Sequence, residues 1–194
     1  MALTLPQRPA QYFIDEILLP GWRPYEAHGF DIRLEDPADE RFCPVATSID
    51  NVGAVYPSLI VQYSNETSGG ESTYDFMTSN GPGQNRTGEL IVTARTQQRT
   101  TRAVATGGTY GGGAFGQTAL GGATAVEQTV DADDLAVALI AAVESVVARN
   151  ATGGTSRFQT LGSQRGPDVP DDYDEDPPVR LAGTQISYTW VRQP

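Results

Sequence analysis

The residues of this chain that could carry chemistry are few and scattered. His28 and Cys43 are its only histidine and its only cysteine. A thiolate beside an imidazole is a nucleophilic pair, but no third residue that would orient the ring is recognisable. The plainer reading is a half-buried histidine and a small buried thiol. One residue of each kind also excludes a histidine-rich zinc site, a multi-cysteine metal site and an internal disulfide. All 13 basic residues are arginine, so there is no P-loop lysine, no Schiff-base lysine and no lysine general base. Gly111, Gly113 and Gly116 fit G-x-G-x-x-G, yet no apolar strand leads into them and no helix starts directly after. Asp172, Asp174 and Asp176 alternate like the start of a calcium loop. Pro177 then stands where that loop needs glycine, and no glutamate closes it. The pairs Asp15–Glu16 and Asp39–Glu40 lie in polar sequence with nothing to perturb their titration. The expectation is therefore no catalytic, cofactor-binding or metal-binding residue: a protein that is not an enzyme.

Charge says more. Against the arginines stand 24 Asp and Glu, for a net charge of −11. An acidic, lysine-free chain rich in Ala, Gly, Thr and Val has the composition of an extreme halophile's protein. There, hydrated carboxylates keep it soluble and molar salt screens their repulsion within about 3 Å. Charge attraction is then weak for any partner, and binding rests on shape, apolar contact and hydrogen bonds. Net negative charge disfavours DNA as a specific ligand. No run of apolar residues is long enough for a membrane span, and the first residues do not read as a secretory signal. Sequons at Asn65, Asn85 and Asn150 are cheap matches in so Thr-rich a chain.

The elements follow from periodicity. Residues 9–19 suit a helix, with Tyr12, Phe13, Glu16 and Ile17 at helical spacing and Pro20-Gly21 as its stop. Residues 22–51 read as irregular, with one short strand over 30–34. Residues 58–63 form a strand in which Leu59, Val61 and Tyr63 share a face and Ile60 implies some cover on the other. Residues 72–78 pair with it as a hairpin, and 88–97 add a third strand with Leu90, Val92 and Ala94 on one face, making a meander. A helix over 131–149 is the firmest element. Asp131 caps it, Asp133 and Asp134 suit its positive end, and Leu135, Leu139, Ala142, Val143 and Val146 form its apolar stripe. Residues 156–162 are a weak strand. Residues 180–192 are a long one, with Ala182, Thr184, Ile186, Tyr188 and Trp190 alternating onto one face. The chain reads as one α+β domain over 1–194: a mainly antiparallel sheet, one main packed helix, an N-terminal helix and long loops.

Two insertions interrupt it. One is a Gly/Thr-rich arm over 97–129, structureless by composition and flexible when free. The other is an acidic loop over 164–178. An internal arm of this kind gains order by lying on a neighbour. Arginine and aromatic residues carry interface energy, which nominates Arg95, Arg99, Arg102, Tyr110, Phe115 and Trp22 as the assembly interface.

This order of elements resembles the tail terminator, or tail-completion and head–tail joining, proteins of tailed viruses. The resemblance is carried by the opening helix, the strands around YPSLIVQYS and GELIVTARTQ, the intervening loop, the helix DADDLAVALIAAVESVVA and the final strand VRLAGTQISYTWVRQP. With the halophilic composition, a haloarchaeal virus is implied. The resemblance implies a non-enzymatic virion protein, assembled in the host cytoplasm, that closes as a homo-oligomeric ring of about six copies at the neck. Its implied partners are the tail tube protein and the head-side connector or stopper. DNA would only pass through the channel, and no membrane or cofactor is involved. Glu89, Asp171, Asp172 and Asp174 would suit a channel wall that denies phosphates an anchor. Other virion roles (tail tube, baseplate or capsid decoration) and a cellular halophilic binding module are the alternatives.

Overall fold

The computed structural model describes residues 8–24, 27, 29–68, 76–78, 81–97, 100–106, 124–151, 158–166 and 177–192. The chain is α+β. A six-stranded sheet has the order β1 (Val45–Ala46), β2 (Ser58–Ser68), β4 (Gly81–Gln97), β8 (Val179–Arg192), β7 (Phe158–Arg165), with β3 (Phe76–Thr78) paired to the start of β4. Every pairing is antiparallel except the two-residue contact of β1 with β2. The expected hairpin between β2 and β3 does not form. Instead β4 begins at Gly81 and is 17 residues long, so it spans the whole of β2 and takes β3 on its overhang. The expected strand over 30–34 is also absent: Phe30 and Arg33 each make one isolated bridge, to Ala27 and Phe42.

One face of the sheet is covered by helices. The alternation in β8 and β4 is as the sequence implies, with Ile186, Tyr188, Trp190, Leu90, Val92 and Ala94 buried. They meet α3 (Ala132–Arg149), whose Leu135, Leu139, Ala142, Val143 and Val146 are buried in the same cluster. Each of the leucines and valines contributes about 1.5–3 kcal/mol on burial. The N-cap, where Asp131 Oδ1 accepts from the Asp133 N–H at 2.8 Å, adds only about 1 kcal/mol. Packing therefore holds this helix and the cap sets where it starts.

The N-terminal helix is longer than its proline implies. α1 (Pro9–Phe13) passes through a π-helical turn, Ile14–Leu18, into α2 (Leu19–Gly21). Leu19 N–H reaches back to Ile14 O, and Pro20 falls at the opening of the last short helix, where a missing N–H costs little. Gly21 packs tightly against α3. A Cβ there would stand 2.7 Å from Val146 Cγ1. Arg149 Nη2 donates to Gly21 O at 2.7 Å, tying the two helix ends together.

The sheet's inner face changes character at a bulge in β2. Tyr63 pairs with Leu90 and Asn65 with Glu89, so one residue is inserted between them. The register then turns Glu66 inward instead of Asn65. Glu66 Oε2 accepts from Tyr188 Oη at 3.1 Å and from Trp190 Nε1 at 3.0 Å, and Arg86 Nη1 lies 3.6 Å from Oε1. Gly88 makes room for this: a Cβ would come within 2.5 Å of Tyr188 Oη and 2.6 Å of Asn65 O. Burial, with the Glu66 charge second, pushes the Tyr188 phenol well above its ordinary range. Phe158 stacks on Trp190 with ring centroids 6.2 Å apart, and Tyr12 closes the box from α1 at 5.9 Å.

Candidate assembly surface

The arm is not structureless at its base. β5 (Thr100–Thr106) pairs antiparallel with β6 (Thr124–Val130) through 7 residue pairs, from Thr100↔Val130 to Thr106↔Thr124. Among the described residues this ribbon is its own two-stranded sheet and joins no strand of the main one. The expectation of a loop over 97–129 is corrected for these two segments. Their β-branched composition, TTRAVAT and TAVEQTV, favours strand once each finds a partner.

The body holds the two stems of the ribbon together. At the end of β4, the buried Thr96 Oγ1 donates to Ala132 O, in the first turn of α3, at 2.7 Å. Gln97 Nε2 donates to Pro177 O at 3.1 Å. Arg180 Nε lies 3.5 Å from Asp133 Oδ1, an ion pair whose carboxylate is exposed and which adds little. The strand that feeds the ribbon and the helix that receives it are thus clamped at one place.

The nominated interface residues part company. Arg95 is occupied within the subunit. It is 6% exposed, Nη1 donates to Gly53 O at 3.1 Å, Nη2 donates to Tyr56 Oη at 2.9 Å, and the guanidinium lies 5.0 Å from the centre of the Tyr56 ring. It pins the segment before β2 onto the outer face of β4, which explains the burial of Ser58 and Ile60 there. Trp22 is half-buried and its Nε1 donates to Ile32 O at 2.8 Å. Arg102 stands opposite Gln128 in the ribbon. Arg99, Tyr110 and Phe115 lie outside the described residues, as do His28, the G-x-G-x-x-G stretch, and Asp171, Asp172 and Asp174. Glu89 accepts from Asn65 Nδ2 at 2.8 Å across the β2–β4 pair. Asn150 caps α3 by donating to Val146 O at 2.8 Å and is partly buried, a poor glycan acceptor. The acidic loop over 164–178 is shortened at its start, because β7 runs to Arg165.

Sequence reading missed a charged knot beside Trp22. Asp31 is fully buried and receives Arg41 Nη1 at 2.6 Å, while Asp39 receives Arg41 Nε and Nη2, each at 2.8 Å. Arg33 Nε lies 3.5 Å from Asp31 and 3.6 Å from Asp39. The Arg41 hydrogen bonds hold the Asp39 carboxyl down at about 2 and push the Arg41 guanidinium up. A cleft of about 250 Å³ opens against this knot, lined by Leu19, Trp22, Pro24 and Leu34 and by Arg33, Glu35, Asp36 and Asp39. The alternation of acid and arginine from Asp31 to Arg41 was the available signal, but only the fold brings the two ends within reach. Cys43 is fully buried in the core and its N–H donates to Arg33 O at 2.8 Å. Among the described residues no three His, Cys, Asp or Glu side chains are grouped to hold a metal ion, and no helix is long and apolar enough to cross a membrane.

Among the described residues, no helix lies on the outer face of the main sheet over much of β4 and β8. Ile91 is 39% exposed there, flanked in register by Gln62 and Gln185. Tyr63, at the bulge, is 52% exposed. No protein-family model, curated protein or solved structure matches the chain.

Proposed function

We propose that this chain is a non-enzymatic structural protein of a tailed virus that closes into a ring at the neck, caps the tail tube and joins it to the head-side connector. The observation that carries the reading is the clamped ribbon. A two-stranded ribbon is marginal alone in water, so a protein that fastens its stems so firmly has a surface for it to lie on. A neighbouring copy in a ring supplies that surface at every position. The order of helix, strands, insertion between strand and main helix, and final strand supports the same reading through its resemblance to tail terminator proteins. The composition points to a haloarchaeal host, and DNA passes such an acidic ring without an anchor.

Two other readings each have one observation in their favour. A paired ribbon would also suit a tail-tube subunit that stacks through a hairpin, although the long buried helix α3 is foreign to a nearly all-β tube protein. The cleft beside Trp22 would suit a cellular binding module. Quantitative mass spectrometry on purified virus particles separates the three. About six or twelve copies per particle is the expected result. Copies in the tens to hundreds would mean tube or shell, and absence from particles would overturn the virion role.

A further inference from the structure

We propose that the ribbon of one copy adds to the outer edge of β7 in the next, so that neighbouring main sheets are joined by backbone hydrogen bonds. The proposal deepens the ring reading by naming its joint, and rests on that reading only for the number of copies that close.

β7 is the last strand in the sheet order, and among the described residues no strand pairs with its outer side. Edges are usually defended by proline, charge, bulges or brevity. β7 reads FQTLGSQR, with no proline, no acid and one arginine at its end. Its bulge lies between Phe158 and Thr160. Beyond that, Thr160 to Arg165 is regular and mostly exposed, about 20 Å of open ladder. The opposite edge differs: β1 covers β2 at Leu59 and Ile60, and the bulge after Tyr63 breaks the remainder.

The ribbon is the matching piece. Its 7-residue strands span about 23 Å each. Among the described residues it meets no strand of the main sheet, so there each of its strands keeps one edge unpaired by strand. Adding a third strand is what makes a two-stranded ribbon stable, and strand addition is a general mode of recognition that needs no matched charges. The charges favour this meeting place. The ribbon strands hold one acid, Glu127, and one arginine, Arg102, and β7 holds no acid, in a chain of net charge −11. Backbone hydrogen bonds act at contact and salt does not screen them, whereas repulsion between the acidic bodies falls as the Debye length shortens. Joining copies in this way therefore strengthens as salt rises.

The test mixes two separately purified single-cysteine additions. Ser163→Cys places a thiol on exposed β7. Ala103→Cys and Ala125→Cys place one on either ribbon strand. The native Cys43 is fully buried and stays as it is. Mild oxidation in molar salt should give a mixed dimer of Ser163→Cys with one of the two ribbon variants, and little of it in low salt. Gln62→Cys on β2 is the competing edge. Oligomers that form without any mixed ribbon–β7 dimer, crosslinks that go to Gln62→Cys instead, or a protein that stays monomeric in molar salt at high concentration would each overturn the proposal. The purified protein suffices, so failure of the neck assignment on particles leaves this result standing, and the reverse.

Discussion

The body and the ribbon of this protein solve opposite problems. In the body, three charged groups find partners within the chain: Glu66 serves Tyr188 and Trp190, Arg95 serves Gly53 and Tyr56, and Asp31 serves Arg41. The ribbon is built from the same kinds of strand, yet it stands as a sheet of two with its stems clamped and its edges open to another strand. Residues that look like interface anchors by type, Arg95 and Trp22, belong to the body. On the proposed reading, assembly would rest on backbone and shape rather than on the arginines that composition nominates, because salt screens charge attraction.

That contrast can be broken in several places. Leu139→Ala empties a fully buried position of α3 and should cost about 2–5 kcal/mol by chemical denaturation. Val104→Gly in the ribbon should leave the subunit's unfolding free energy within about 0.5 kcal/mol while abolishing oligomers seen by light scattering. Equal losses of stability would merge the two regions into one cooperative unit. Gly88→Ala drives a methyl group into Tyr188 and the β2 backbone and should cost about 1–3 kcal/mol. Thr96→Val keeps the shape but removes the buried hydroxyl's bond to Ala132 O, at about 0.5–1.5 kcal/mol. It should also weaken assembly more than a core change of equal cost, since it loosens the stems.

The pH effects are smaller. Asp39 titrates at about 2 in the folded protein against 3.8 ordinarily. Its contribution is complete above the ordinary value and is lost as pH falls through about 2. Asp39→Asn should therefore lower the melting temperature at neutral pH, where that contribution is complete, and flatten its fall across the acid window. For Tyr188 the sign reverses. Its folded pKa is raised, so the unfolded chain gives up its proton first, and stability declines as pH climbs past 10, the ordinary value. Tyr188→Phe should remove that alkaline decline, read as melting temperature against pH.

The body was largely legible in the sequence. The alternation from Ala182 to Trp190 and the stripe from Leu135 to Val146 are periodic signals over 9 and 12 residues, and packing honours them. The π-turn was not legible, because Pro20 reads as a stop unless the turn before it is known to widen. Nor was the inward turn of Glu66, since a one-residue bulge after Tyr63 leaves no mark in an alternating polar run. The ribbon was hidden for another reason. Its strands are short, weakly apolar and separated by a Gly-rich stretch, so each reads as loop until the other is beside it. The pairing is non-local information that neither segment carries alone. The same holds for the knot of Asp31, Arg33, Asp39 and Arg41, whose charges look like a solvated run in sequence order.

The clamp at Thr96 and Ala132 has a mechanical consequence. Tension on the ribbon enters the subunit through two elements at once: β4, laddered along its length to β2 and β8, and α3, whose apolar stripe lies against that same ladder. Load along β4 shears many hydrogen bonds together instead of peeling them singly, and load on α3 drags on the core rather than on a surface loop. In the proposed ring, a force pulling neighbouring copies apart would be spread through the laddered sheet and packed helix of each, so the joint between subunits should give way before the subunits themselves.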